Sequence, residues 1–318
     1  MRVDQPEPDA GSGDRGDPGD RGDRGADAGL PRPRWEAPAV SREEQVAARA
    51  RNREHVEAAY QAAADRDAWA EAAPRLRGEW EEHKDRYPER VRASPHTEPD
   101  GSWVGGEHRR LDPEQNTEAS KAHADLADEA GRHILPAMQR IEAADPERRL
   151  AGLEHMVKGE DRLKEKIADA WQGRPSLSAS QVVSMVPDAV RFTLSYSSEH
   201  YAEGVQADVE RLKAEGFDLI KLKNLWHTEQ YKGVNSQWSS AETGTRFEMQ
   251  FHTAESLEAK ELTHGAYERI RANAALPVDE QDLVEERRLE SFQRRVNTLI
   301  ATPPGTDRIK DFPEKNHG

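Results

Sequence analysis

The stretch Thr245-Arg246-Phe247-Glu248-Met249-Gln250-Phe251-His252-Thr253 decides how the rest of the chain is read. Phe247, Met249 and Phe251 alternate strictly with Arg246, Glu248, Gln250 and His252. Successive side chains of a strand point to opposite faces, so one face here is apolar and the other carries a cation, a carboxylate, an amide and an imidazole. Two readings compete: a face that concentrates chemistry, or a solvated face laced with salt bridges. Alternation alone does not choose between them.

Working outward, Ala189–Tyr196 alternates Val190, Phe192 and Leu194 with Arg191, Thr193 and Ser195, a half-buried strand. Tyr201–Glu215 reads as an amphipathic helix closed by Gly216. Phe217–Asn224 and Val234–Ser239 read as two further strands, and Ala241–Gly244 as the turn into the strand at 246–252. Thr253 then caps a helix to about Ala272, and a last helix spans Asp279 to about Ile300. This order, β-α-β-β-β-α, implies an α+β fold with a mixed sheet flanked by helices.

The N-terminal half differs. Residues 1–38 repeat Gly-Asp and Arg-Gly-Asp, with glycine at every third position from Gly13 to Gly25, and are expected to be a disordered tail. Ser41-x-x-Glu44 fits a capping box that opens a helix to about Arg92, and residues 94–116, with three prolines and three glycines, read as a loop. Helical patterns resume over 118–144, interrupted at Pro136, and over 146–172. The expected division is therefore a tail at 1–38, a helical region at 39–145, a catalytic-type α+β domain at 146–306 and a C-terminal tail at 307–318.

Composition sets outer limits. The chain has 318 residues, of which 34% are charged and 35% hydrophobic, with a net charge of −15. That charge opposes broad binding to DNA or to anionic membranes. Zero cysteines exclude disulfides, thiolate metal sites and a cysteine nucleophile. No stretch approaches the ~20 apolar residues of a membrane span, and the N-terminus has no signal-peptide pattern. A soluble, cytoplasmic protein is expected.

Lys221, Lys223, Lys232 and Arg246 cluster around these strands, and clustered cations suit a polyphosphate. Glu248 among them is placed to bind Mg²⁺ or to take a proton from a hydroxyl nucleophile. Tyr231, in Gln230-Tyr231-Lys232-Gly233-Val234-Asn235, offers a ring that could stack on a base, although packing is the commoner role of a tyrosine before a turn. Lys260, His264 and Tyr267 or Glu268 share one face of the following helix. His252 and His264 lack metal-ligand spacing, so zinc is not expected. P-loop, Gly-x-Ser-x-Gly and dinucleotide-binding motifs are absent from the sequence.

Taken in order, Lys223-Asn224, Tyr231–Asn235, Phe247–Thr253 and Lys260-Glu261-x-x-His264 resemble the RelA/SpoT synthetase domain family over about residues 150–305. The resemblance implies a pyrophosphotransferase that moves the β,γ-pyrophosphate of ATP to the 3′-hydroxyl of a purine nucleotide. It is nearest to the branch of nucleotide 3′-pyrophosphokinases and toxin-associated alarmone synthetases. By the same resemblance Glu248, Gln250 and His264 are catalytic, Asp188 and Glu248 hold Mg²⁺, and Tyr231 stacks on the acceptor base. Lys158, Arg162, Lys166 and Arg191 would grip the ATP phosphates, the first three lying one turn apart on one helical face. Lys221, Lys223, Lys232, Asn235, Arg246 and His252 complete the substrate site. The chain departs from the family pattern at His252, where the family has arginine, at Gln230 and Asn235, and in the Asp188-x-x-Arg191 spacing, which is two residues short. On a regular strand that spacing sends Asp188 and Arg191 to opposite sides. A hydrolase activity is not expected, since the N-terminal half holds no histidine–aspartate metal motif. Two alternatives stay open: a toxin that pyrophosphorylates the 3′ end of tRNA, and a non-catalytic nucleotide-binding or helical interaction protein. The acceptor base and any homo-oligomer are not set by the sequence.

Overall fold

The fold is described from a computed structural model, which covers residues 41–88, 94–106 and 109–313. The expected tail at 1–38 lies outside the described residues. A compact unit begins at Ala48; before it, the described residues 41–47 contribute only the start of the first helix.

Helix α1 (Arg42–Arg86) precedes three two-residue strands, β1 (His96–Thr97), β2 (Trp103–Val104) and β3 (Arg110–Leu111), which pair antiparallel within the stretch read as loop. Next come α2 (Pro113–Glu129), a π-helical turn at Ala130–Ile134, and α3 (Leu135–Ala143). The π-turn ends at Ile134, two residues before Pro136 in the first turn of α3; proline lacks the N–H that a continuous α-helix would need there. Strand β4 (Arg148–Ala151), α4 (Glu160–Gly173), α5 (Ala179–Met185), β5 (Arg191–Tyr196) and α6 (Tyr201–Ala214) follow. The chain continues through β6 (Phe217–Asn224), β7 (Val234–Ser240), β8 (Arg246–Thr253), α7 (Ala254–Ala274) and α8 (Leu283–Thr298).

The helix expected over 146–172 is corrected: its first part is strand β4, which pairs antiparallel with β5, and α4 starts only at Glu160. Arg148, a charged residue at a position 1% exposed, breaks the apolar alternation that would have marked the strand. Burial is tolerated because its guanidinium meets the fully buried Asp208 of α6. Tyr196 Oη and Arg211 also donate to Asp208, so the carboxylate is saturated.

The main sheet has the order β4-β5-β8-β7-β6, with β5 and β8 parallel and the other pairs antiparallel. Its apolar face carries Phe192, Leu194, Trp238, Phe247, Met249 and Phe251, all buried. Helix α6 packs there through Tyr201, whose hydroxyl donates to the Phe251 carbonyl at 2.7 Å. Helix α7 lies across the opposite face, its N-terminus fixed by a Thr253–Ser256 capping box. Burying side chains this large contributes about 1.5–3 kcal/mol each.

The C-terminal residues 307–313 return to the free edge of β6. Leu222 and Phe312 exchange two backbone hydrogen bonds, at 2.8 and 2.9 Å. No described helix is long and apolar enough to cross a membrane.

Candidate active site

Strand register gathers the polar residues into rows that run across the sheet. One row is Lys221–Gln237–Glu248–Arg191, and the next is Lys223–Asn235–Gln250–Thr193. Lateral neighbours in a sheet lie within side-chain reach, so residues 57 positions apart in the chain become one surface. The face is not the solvated strand face that alternation allowed: in β8 only Arg246 is exposed, and Glu248, Gln250 and His252 are buried.

Glu248 is the centre. Arg191 Nε donates to its Oε2 at 2.5 Å, and Gln250 Nε2 and Asn235 Nδ2 donate to Oε1. Gln250 is 3% exposed, and its Oε1 has no hydrogen-bond partner among the described residues. A buried acceptor left open inside a polar cleft costs about 1–3 kcal/mol and marks a place for a ligand or water donor.

Asp188 joins this centre from the turn before β5. Its Oδ2 accepts from Lys158 Nζ at 2.7 Å and from Arg191 at 3.4 Å. Asp188 and Arg191 therefore meet on one side, not on opposite sides, because the regular strand begins only at Arg191. Burial by itself would raise the Asp188 pKa; the Lys158 and Arg191 cations bring it below the usual carboxylate range.

At the other end of β8 lies His252, fully buried, with its Nε2 2.8 Å from Tyr231 Oη and its Nδ1 2.9 Å from Ser256 Oγ. The Ser256 hydroxyl also receives the Thr253 N–H and donates to the Thr253 carbonyl. The two ring nitrogens thus tie the Tyr231 hydroxyl to the first turn of α7. Burial, helped by the Lys260 ammonium, lowers the His252 pKa to about 3, so the imidazole is neutral. The two rings meet edge to face, with centroids 5.2 Å apart. Burial, then the Glu248 carboxylate, raises the Tyr231 pKa well above its ordinary value. Gly233 lets this end close up: a Cβ there would stand 2.8 Å from the Phe251 carbonyl oxygen and 3.0 Å from the His252 ring.

Other expected site residues are dispersed. Lys158 precedes α4 rather than sharing a face with Arg162 and Lys166; of these two, Arg162 is exposed and ion-paired with Glu165. Lys221 and Arg246 are exposed on the polar face. Lys223 is held 2.9 Å from Asp311, and Lys232 turns into the loop to donate to the Trp226 carbonyl at 2.9 Å. His264 is exposed on α7. Lys260, noted in the sequence on a helix face and in the Lys260-Glu261-x-x-His264 motif, is the residue that motif reading left without a role. Its ammonium lies in electrostatic reach of Arg191, Glu248 and His252. The signal that could have found it is its spacing, one turn after Ser256 on α7.

Two carboxylates bridged by one guanidinium, with no third acid, fit a magnesium ion that takes its remaining ligands from water and substrate phosphates. Among the described residues no cluster of three or more His, Cys, Asp or Glu is placed to form a self-sufficient metal cage.

No family model matches the chain, and no curated protein matches it. Solved structures similar to it include a GTP pyrophosphokinase family protein from Streptococcus pneumoniae, at 14% identity and a TM-score of 0.34, covering 58% of this chain and 87% of that one. Small alarmone synthetase 2 from Bacillus subtilis is similar at 13% identity and TM-score 0.34, over 57% of this chain and 92% of the other. Small alarmone synthetase 1 from the same organism is similar at 15% identity and TM-score 0.31, over 57% and 88%. At these levels no residue's role is carried over from them.

Proposed function

We propose that the chain is an ATP:nucleotide 3′-pyrophosphotransferase. The observation that supports this best is Glu248, a buried carboxylate that collects Arg191, Asn235 and Gln250 on a cation-lined sheet face, with Asp188 on one side and Tyr231 on the other. Such a transfer asks a protein mainly for positioning and charge neutralisation.

In this reading Lys158 and Arg191 hold the donor phosphates. The half-buried Tyr231 ring, its hydroxyl tied to His252, presents a face to the acceptor base. Lys221 and Arg246 reach the acceptor's 5′-phosphates. The acceptor 3′-oxygen attacks the β-phosphorus in line, its proton passes to Glu248, and the bond from β-phosphorus to the α,β-bridging oxygen breaks to release AMP. Asp188 and Glu248 would hold Mg²⁺, which when bound neutralises charge on the phosphate oxygens.

Glu248→Gln preserves the shape and two of the three hydrogen-bonding partners while removing the base. We expect the variant to fold normally and to lose nearly all AMP formation from ATP, by about 10²- to 10⁴-fold, when offered GTP, GDP, ATP or tRNA as acceptor. Near wild-type AMP release by a folded Glu248→Gln protein would sink the assignment, and the four acceptors separate nucleotide from tRNA chemistry.

A further inference from the structure

Helix α7 presents Ser256, Ala259 and Thr263 to the sheet, all buried. Lys260 is four residues beyond Ser256 and three before Thr263, so it shares this inward stripe rather than the outer face. Its side chain is half-buried, yet its ammonium makes no hydrogen bond or ion pair among the described residues. Burial, and the Arg191 guanidinium beside it, lower its pKa; only Glu248 and its neighbour Glu261 oppose this. Glu248 cannot serve as its full partner, because both of its oxygens already accept from Arg191, Asn235 and Gln250.

Lys158, Arg191 and Lys260 surround the two carboxylates Asp188 and Glu248, and the further acid in reach of Lys260, Glu261, is exposed on the surface of α7. Asp188 is itself shared between Lys158 and Arg191. His252, closing the same end, is neutral and adds no charge but also no acceptor for Lys260, since its ring nitrogens are taken by Tyr231 and Ser256. An ammonium drawn from water beside a guanidinium, without an acceptor, is unfavourable by itself. It becomes favourable once an anion bridges the two cations.

We propose that Lys260 is a polyphosphate-binding residue that, with Arg191, holds the terminal phosphates of the donor nucleotide. This rests on the pyrophosphotransferase reading. It also accounts for the imidazole at the end of β8: the cation that the family pattern places on the strand is supplied here from the helix, which leaves His252 to hold Tyr231. Lysine suits the position as a compact point charge with three donors.

The test uses the full chain, inorganic pyrophosphate and α,β-methylene-ATP with magnesium, read by thermal melting and calorimetry. Wild-type protein should be stabilised by both probes. Lys260→Met should melt no lower than wild type without ligand, because it removes an unpartnered ammonium, and should bind both probes about 10- to 100-fold more weakly. Lys260→Arg should retain affinity to within a few-fold. Undiminished binding by Lys260→Met, or a lower ligand-free melting temperature with no loss of affinity, overturns the role of Lys260 and leaves the function standing. A wild-type protein that binds neither probe overturns the function and this inference together.

Discussion

Two clusters in this molecule are built from the same parts. Around Asp208, Arg148 and Arg211 meet one carboxylate with the Tyr196 hydroxyl; around Glu248 and Asp188, Arg191 and Lys158 meet two. In the first, the central ion pair is buried, with Asp208 0% and Arg148 1% exposed, and only Arg211 and Asp145 reach its solvent side. The second is open, with Arg191 35% exposed, a buried Gln250 acceptor without a partner and a lysine without an ion pair among the described residues. A buried ion pair fastens β4 to α6, although Arg148 Nε is left without a partner among the described residues. A cluster that opens to solvent, with an acceptor and an ammonium both left over, is poised to take a ligand, and that access, not the presence of charges, separates scaffold from site.

The largest expected effect belongs to the open cluster. Glu248→Gln should lower AMP formation by about 10²- to 10⁴-fold with little change in the denaturation midpoint. If instead it unfolded the chain and Asp208 variants did not, the two clusters would have exchanged roles. Next, Asp208→Ala removes the buried counter-charge of Arg148, leaving it only the partly exposed Asp145, and should cost about 3–5 kcal/mol in urea unfolding. A pyrophosphate affinity per folded molecule equal to wild type would sharpen the contrast.

The third concerns pH. His252 has an ordinary pKa of 6.5 and a folded one of about 3, so the unfolded chain binds the extra proton between these values. Its stabilisation is present above pH 6.5 and falls as pH drops toward 3, by up to about 1.4 kcal/mol per pH unit. His252→Gln should flatten the unfolding free energy between pH 4 and 6 by that slope (window from the same values); an unchanged slope would show that the imidazole is not held neutral. The smallest effect is expected for Tyr231→Phe, which removes the hydroxyl hydrogen-bonded to His252 and should cost about 0.5–1.5 kcal/mol. Acceptor KM should rise while donor KM holds, and Tyr231→Ala should do more, since it also removes the ring.

The strands from β5 to β8 were legible because their apolar and polar residues alternate, and α6 and α7 because glycine and threonine mark their ends. Strand β4 was not: its buried arginine imitates a surface residue until Asp208, 60 positions later, is brought to it. The same holds within the site. Glu248 and Tyr231 stand out in motifs of neighbouring residues, whereas Lys260 looks like any helix lysine, and Asp188 seemed to face away from Arg191 as long as the strand was assumed to start early.

The amino-acid sequence by itself determined the period of each strand, the two-faced character of residues 246–252 and the exclusion of cysteine chemistry, because these depend on neighbours along the chain. Tertiary structure alone decided which polar groups were buried, which charges were matched and which were left over. Register across β6, β7, β8 and β5 places Lys221, Gln237, Glu248 and Arg191 side by side. Whether a carboxylate fastens or reacts depends on whether the groups around it reach solvent with partners to spare, and that arrangement exists only after the chain has folded.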